Sequence, residues 1–181
     1  MKKYIYYFAV FAIVLISACT SGEKGEKAPE KINYESTLTA EQLFTVEEAK
    51  SLVSYEPVTS SENTRQKSIL RFDSDPIGQD PIIVELYAFN GARSIASVYE
   101  EFKQKKEKRP KAEPVEDFGA EAYIAYPSIN LYRDGYMIVV TAGSGADEAQ
   151  KELLINAGRI AVGHLNEYLE KYPTNSDLLD K

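Results

Sequence analysis

The sequence predicts an α+β domain, an antiparallel sheet of about five strands with helices packed against it. Three observations carry that expectation. Asp134-Gly135 sits between two apolar runs, the signature of a tight hairpin whose two central residues need positive φ. Apolar residues fall in short strand-like runs at 67–73 and 82–89 but recur at steps of three and four along 95–102 and 154–168, so both element types are present. Their order, helix, two strands, helix, three strands, helix, lacks the strict alternation of a doubly wound parallel sheet. One domain over residues 37–172, followed by a polar tail at 173–181, suits a chain of this length.

The N-terminus precedes that domain. Lys2 and Lys3 form a short basic start, and Tyr4 through Ile16 carry no charge. The apolar run reaches Ser17, Ala18 and Cys19 before the roughly 20 residues that a membrane-crossing helix needs. Residues 1–18 therefore read as a cleaved export signal. The order Ile16-Ser17-Ala18-Cys19 resembles the lipobox of bacterial lipoproteins. That resemblance implies lipid attachment at Cys19, cleavage just before it, and acylation of the new amine, commonly with palmitate. Two or three acyl chains tether a protein far better than one, since each buried methylene contributes about 0.8 kcal/mol. The expected location is extracytoplasmic, lipid-anchored to the cell membrane, with inner or outer membrane left open. Residues 19–36, "CTSGEKGEKAPEKINYES", are poor in large apolar side chains and read as a lipidated end and disordered spacer.

The domain elements follow in order. Thr45-Val46-Glu47-Glu48 has capping-box spacing ahead of Ala49, Leu52 and Val53, and the helix so opened must stop before Pro57. Thr39 to Gln42 has the same spacing and predicts a helical turn. Strands are expected at 67–73 and 82–89, the second apolar on both faces as a central strand is. Asn90 is the expected cap of a helix whose stripe is Ile95, Val98, Tyr99 and Phe102, ending at Arg109-Pro110. Residues 121–143 predict a three-stranded meander bent at Pro127-Ser128 and Asp134-Gly135. A last helix, from about Ala146 to Tyr172, buries Leu154, Ala157, Ala161, Leu165 and Tyr168 on one side. The stretch from the opening helix through "VEDFGAEAYI" to the closing helix resembles small bacterial lipoprotein domains, a resemblance that brings no activity with it.

Composition excludes several function classes. The chain carries 21 basic and 28 acidic side chains. Loss of Lys2 and Lys3 with the signal makes the mature chain more acidic still, which argues against nucleic acid as a partner. Cys19 is the only cysteine. Once it is acylated, disulfides, thiolate metal sites and cysteine catalysis are all excluded within the monomer.

The remaining motifs read more simply as structure than as chemistry. Asp73, Asp75 and Gly78 stand at calcium-loop positions one, three and six, but Ile77 and Val84 occupy positions that need oxygen ligands, so the segment reads as an acidic loop. "AGSGADE" at 142–148 has neither a Walker lysine nor a complete G-x-G-x-x-G, and Ser144-x-x-Asp147 reads as a helix cap. His164, the only histidine, borders an apolar stripe and lacks partners for a zinc site. The basic run at 103–109 has two readings: contact with lipid head groups, or a helix C-terminus whose cations pair with Glu100 and Glu101. Among 13 tyrosines and no tryptophan, Tyr123, Tyr126, Tyr132 and Tyr136 crowd the meander and form the candidate contact surface.

The function expected is a non-catalytic binding or interaction module on a lipid anchor. It has no cofactor, no metal and no catalytic residue, and its expected partner is an envelope protein or glycan. The alternatives are a carboxylate-dependent envelope glycan hydrolase and a purely structural envelope component.

Overall fold

The computed structural model describes residues 35–75 and 78–174. Its centre is a seven-stranded antiparallel sheet in the order β1-β2-β3-β7-β6-β5-β4. The strands are β1 Pro57–Asn63, β2 Ser68–Ser74, β3 Ile82–Ala88, β4 Glu113–Val115, β5 Glu121–Ala125, β6 Ser128–Arg133 and β7 Tyr136–Ala142. Three α-helices accompany it, α1 Val46–Leu52, α2 Ile95–Glu107 and α3 Glu148–Lys171, with a 3-10 turn at Ala40–Gln42. The α+β class and the antiparallel sheet agree with expectation. The strand number does not, because β1 and β4 were not expected.

Both missed strands lie at sheet edges. Every residue of β1 after Pro57 is exposed, so "PVTSSEN" carries no alternation of buried and open positions to read. β4 is three residues long with Pro114 in its middle. Proline cannot donate to a ladder, which confines such a segment to an edge.

Alternation along the inner strands feeds two separate cores. On one face Phe72, Val84, Leu86, Ile129 and Ile138 meet the 3-10 turn, α1 and the Leu154, Ala157, Ala161 and Leu165 stripe of α3. On the other face Val98 and Phe102 of α2 pack on Tyr123, Met137 and Val139. β7, third from neither edge but in the middle of the order, is buried at six of its seven positions because helices cover it on both sides. The described residues thus carry the seven-stranded sheet and the two cores packed on its faces.

Local chemistry sets the ends. Thr45 caps α1, accepting from the Glu48 N–H at 3.2 Å, while the Glu48 carboxylate accepts from the Thr45 N–H at 2.8 Å. The β6–β7 hairpin turns through Asp134 at φ 49° and Gly135 at φ 89°, as a tight primed turn requires. Two caps differ from expectation. α2 is capped by Ser94, not Asn90, and ends at Glu107. α3 is capped by Asp147, whose carboxylate accepts from the Gln150 N–H at 2.8 Å, not by Ser144. In both places two residues able to cap stand close together, and the one nearer the helical stripe takes the role.

Candidate functional site

At the β1–β2 hairpin end of the sheet, three segments enclose a cleft of about 790 Å³. Residues 35–39 form one wall, the hairpin 63–68 another, and the β3–α2 connection around Asn90 the third. Each wall is held by named bonds. The Ser36 N–H donates to the Phe89 carbonyl at 3.2 Å, so the incoming chain is fastened to the end of β3. The Ala40 N–H donates to Ser68 Oγ at 2.7 Å, and the Ser68 hydroxyl donates in turn to Asn63 Oδ1. Asn63 Nδ2 then donates to Glu41 Oε1 at 3.2 Å.

The hairpin tip is equally fixed. Thr64 closes it, its N–H and hydroxyl both donating to the Lys67 carbonyl. The two tip carbonyls are tied to the third wall, Arg65 O accepting from Asn90 Nδ2 at 2.7 Å and Gln66 O from Arg93 at 2.8 Å. This is what Asn90 does in place of capping α2. A cleft whose walls are cross-bonded before any ligand arrives loses little ordering entropy on binding.

Its chemistry is mixed. Leu38, Leu86 and Phe89 supply apolar wall, and Glu35, Arg65 and Lys67 are the ionisable side chains among the described lining residues. The hydrogen bond from Lys67 to Glu85 holds its ammonium group above the ordinary lysine value, so it stays charged. Behind it the Tyr87 ring is faced by Lys67, Arg93 and Lys105 at 5.9, 5.6 and 4.6 Å. With the Lys67 ammonium paired to the Glu85 carboxylate, Arg65 and Glu35 remain, so the cleft offers one cation and one carboxylate beside its apolar wall. Such a wall suits a ligand with an apolar part and a polar or charged group that Arg65 can meet.

The four meander tyrosines do not share a face. Tyr123 is 1% exposed and lies with Tyr132 in the α2 core, against Phe102 at ring distances of 5.2 and 5.7 Å. Tyr136, 2% exposed, belongs to the opposite core, between Phe89 and Tyr168. Tyr126 is half-buried against that second core. Burial pushes the Tyr123 phenol up to about 12 and raises Tyr136 as well. The expected contact surface is therefore divided between two interiors, because strands covered on both sides send alternate rings to opposite cores.

The other candidates fall where packing places them. Nε2 of His164, half-buried on α3, is 2.7 Å from Glu48 Oε1, and Nδ1 lies 3.7 Å from Glu167 Oε2. It fastens α1 to α3. Burial raises the Glu48 carboxyl, but hydrogen bonds from the Thr45 N–H, His164 and the Thr45 hydroxyl outweigh it and hold the group below its ordinary value. In the basic run, Lys103 pairs with Glu100, Lys105 with Glu101 at 3.9 Å and Lys106 with Glu121 at 3.4 Å. Asp73 lies on β2, with Arg71 Nε 2.9 Å away. No group of three or more His, Cys, Asp or Glu among the described residues is placed to hold a metal ion. Cys19 lies outside the described residues, and no helix among them is long and apolar enough to cross a membrane.

Sequence reasoning missed the cleft because its walls are turns and a strand without apolar pattern. Thr64 and Lys67 framing a two-residue polar tip, just before a strand at 68, were the available signal. Comparison with protein-family models, with curated proteins and with solved structures gives no match to this chain.

Proposed function

We propose that the protein is an extracytoplasmic lipoprotein, anchored through acyl chains on Cys19, whose α+β domain is a non-catalytic binding module. The cleft at the hairpin end carries the second half of this reading. Its walls are pre-organised, the Arg65 side chain stands beside apolar wall, and Glu35 is the one carboxylate among its described lining residues. Hydrolysis of a glycan by paired carboxylates needs two such groups facing the same bond. A bound ligand, by contrast, needs only the cation, the amides and the apolar wall. Glu35 and Ser36, the first of the described residues, line this cleft.

The anchor and the cleft are tested separately. Labelling of the intact protein in cells with an alkynyl palmitate is expected, and Cys19→Ala is expected to abolish it and to release the protein from the membrane fraction. For the cleft, residues 20–181 are melted against sugars, phosphates, envelope glycan fragments and short acidic peptides. A ligand at 100 times its Kd stabilises by about 2.7 kcal/mol, a rise of roughly 5 to 10 °C for this size. Arg65→Ala is expected to remove most of that rise, and a flat panel contradicts the binding reading.

A further inference from the structure

The two edges of the sheet are unlike. β4 closes one side with three residues, and its central Pro114 has no N–H to offer a further strand. β1 closes the other with seven residues in unbroken register with β2, all of them exposed after Pro57. Edge strands are ordinarily protected by lysine, an inner proline or a bulge. "PVTSSEN" has none of these, and Glu62 is its single charge.

The backbone phase of this edge follows from the hairpin. The Thr64 N–H donates to the Lys67 carbonyl at 2.9 Å. Antiparallel alternation then turns Glu62, Ser60 and Val58 toward β2, and Asn63, Ser61 and Thr59 outward. Pro57 falls in the outward set, where its missing N–H costs no bond to β2. The edge thus presents N–H groups at Thr59, Ser61 and Asn63, with carbonyls at those positions and at Pro57.

We infer that this edge pairs with β1 of a second copy of the chain, antiparallel about a two-fold axis at Ser60, joining the two sheets into one. The strand is complementary to itself in that register. Thr59 stands opposite Ser61 of the second copy and Pro57 opposite Asn63, so each outward N–H meets a carbonyl. On the open face of the sheet, Ser60 meets itself and Val58 meets Glu62, so the one charge never faces its own copy. Val58, 52% exposed, gains cover in the same step. The side chains nearest the axis are Thr and Ser, small enough for two twisted strands to approach. A single strand pair is a small interface, which places the association in the transient range.

Residues 20–181 contain no cysteine, so a thiol introduced at the axis is the only one present. Sedimentation equilibrium from about 5 to about 500 µM is expected to show the mass approaching that of a dimer at the upper end, as transient interfaces do. Thr59→Pro removes only an outward N–H and is expected to weaken association at least tenfold. Ser60→Lys, an exposed change that sets like charges face to face, is expected to do the same and serves if the proline variant does not fold. Ser60→Cys is expected to form an inter-chain disulfide on oxidation, since residues opposed in a non-hydrogen-bonded pair have Cα atoms about 4.5 Å apart. A protein that stays monomeric throughout, or a dimer indifferent to these three substitutions, overturns the inference. So does an edge that pairs only with a different polypeptide.

Discussion

Two glycines on one helix provide a sharp test of how α3 docks. Gly158 is buried, and a Cβ built there would stand 2.9 Å from Ile129 Cδ1 and 2.9 Å from Phe118 Cε1. Gly163 is exposed, with nothing within 4 Å of the same position. Exchange of a helical glycine for alanine gains about 1 kcal/mol from propensity alone. At Gly163 that gain is unopposed, so Gly163→Ala is expected to stabilise by about 0.5 to 1 kcal/mol, raising Tm by about 1 to 4 °C. At Gly158 the new methyl must displace two buried side chains, Ile129 at 0% and Phe118 at 7% exposure. Overpacking of this kind costs about 1 to 3 kcal/mol, which cancels or exceeds the gain. Gly158→Ala is therefore expected to leave Tm unchanged at best and to lower it by several degrees if the core does not yield. Urea unfolding of both variants beside the parent measures the difference at constant slope. Equal stabilisation by the two substitutions would refute the close approach of α3 to β6 and Phe118.

Three further outcomes follow from the same structure. Ser68→Ala leaves the Ala40 N–H without its buried acceptor, and denaturant unfolding is expected to show a loss of about 1 to 3 kcal/mol. Thr45→Ala removes one half of the capping box on α1 and is expected to cost about 1 kcal/mol by the same assay. The folded pKa of Glu48 lies below its ordinary 4.5, so its contribution is present above that value and is lost as pH falls through the folded pKa. Thr45→Ala loses the hydroxyl but keeps the N–H that lowers the Glu48 pKa most, so the acid side of the stability profile is expected to flatten only slightly. Tyr123 behaves in the opposite sense, because burial raises its pKa from 10.0 to about 12. Its contribution is full below pH 10 and is lost as pH rises through 12. Tyrosinate absorbance at 295 nm is expected to report some phenols titrating only as the domain unfolds.

The parts of the fold legible in the sequence are those whose physics is local. Asp134-Gly135 announced its turn because few other residues accept two successive positive φ values, and Thr45 with Glu48 announced a capping box that needs only four residues. The stripes of α2 and α3 were legible because each helix buries one side. β1 was not legible, since an edge strand exposed on both faces has no pattern to show, and its place depends on β2 supplying the ladder. Asn90 and Ser144 were misassigned because Ser94 and Asp147 satisfy the same capping chemistry nearer the helix. The tyrosines pointed to a surface only while the meander was assumed to have a bare face. Once helices cover the sheet on both sides, the same alternation buries Tyr123 and Tyr136 in different cores. The cleft lay furthest from view, being made by three segments distant in the chain and joined by tertiary hydrogen bonds such as Asn90 to Arg65 and Arg93 to Gln66.

The most direct test of the binding reading is an amide-resolved NMR titration of residues 20–181 with envelope glycan fragments, inorganic phosphate and short acidic peptides. The account predicts that the amides perturbed by a ligand cluster in residues 35–39, 63–68 and 88–92, and that Arg65→Ala silences them. Perturbations gathered on another part of the surface, or none from any of these ligands, would contradict it.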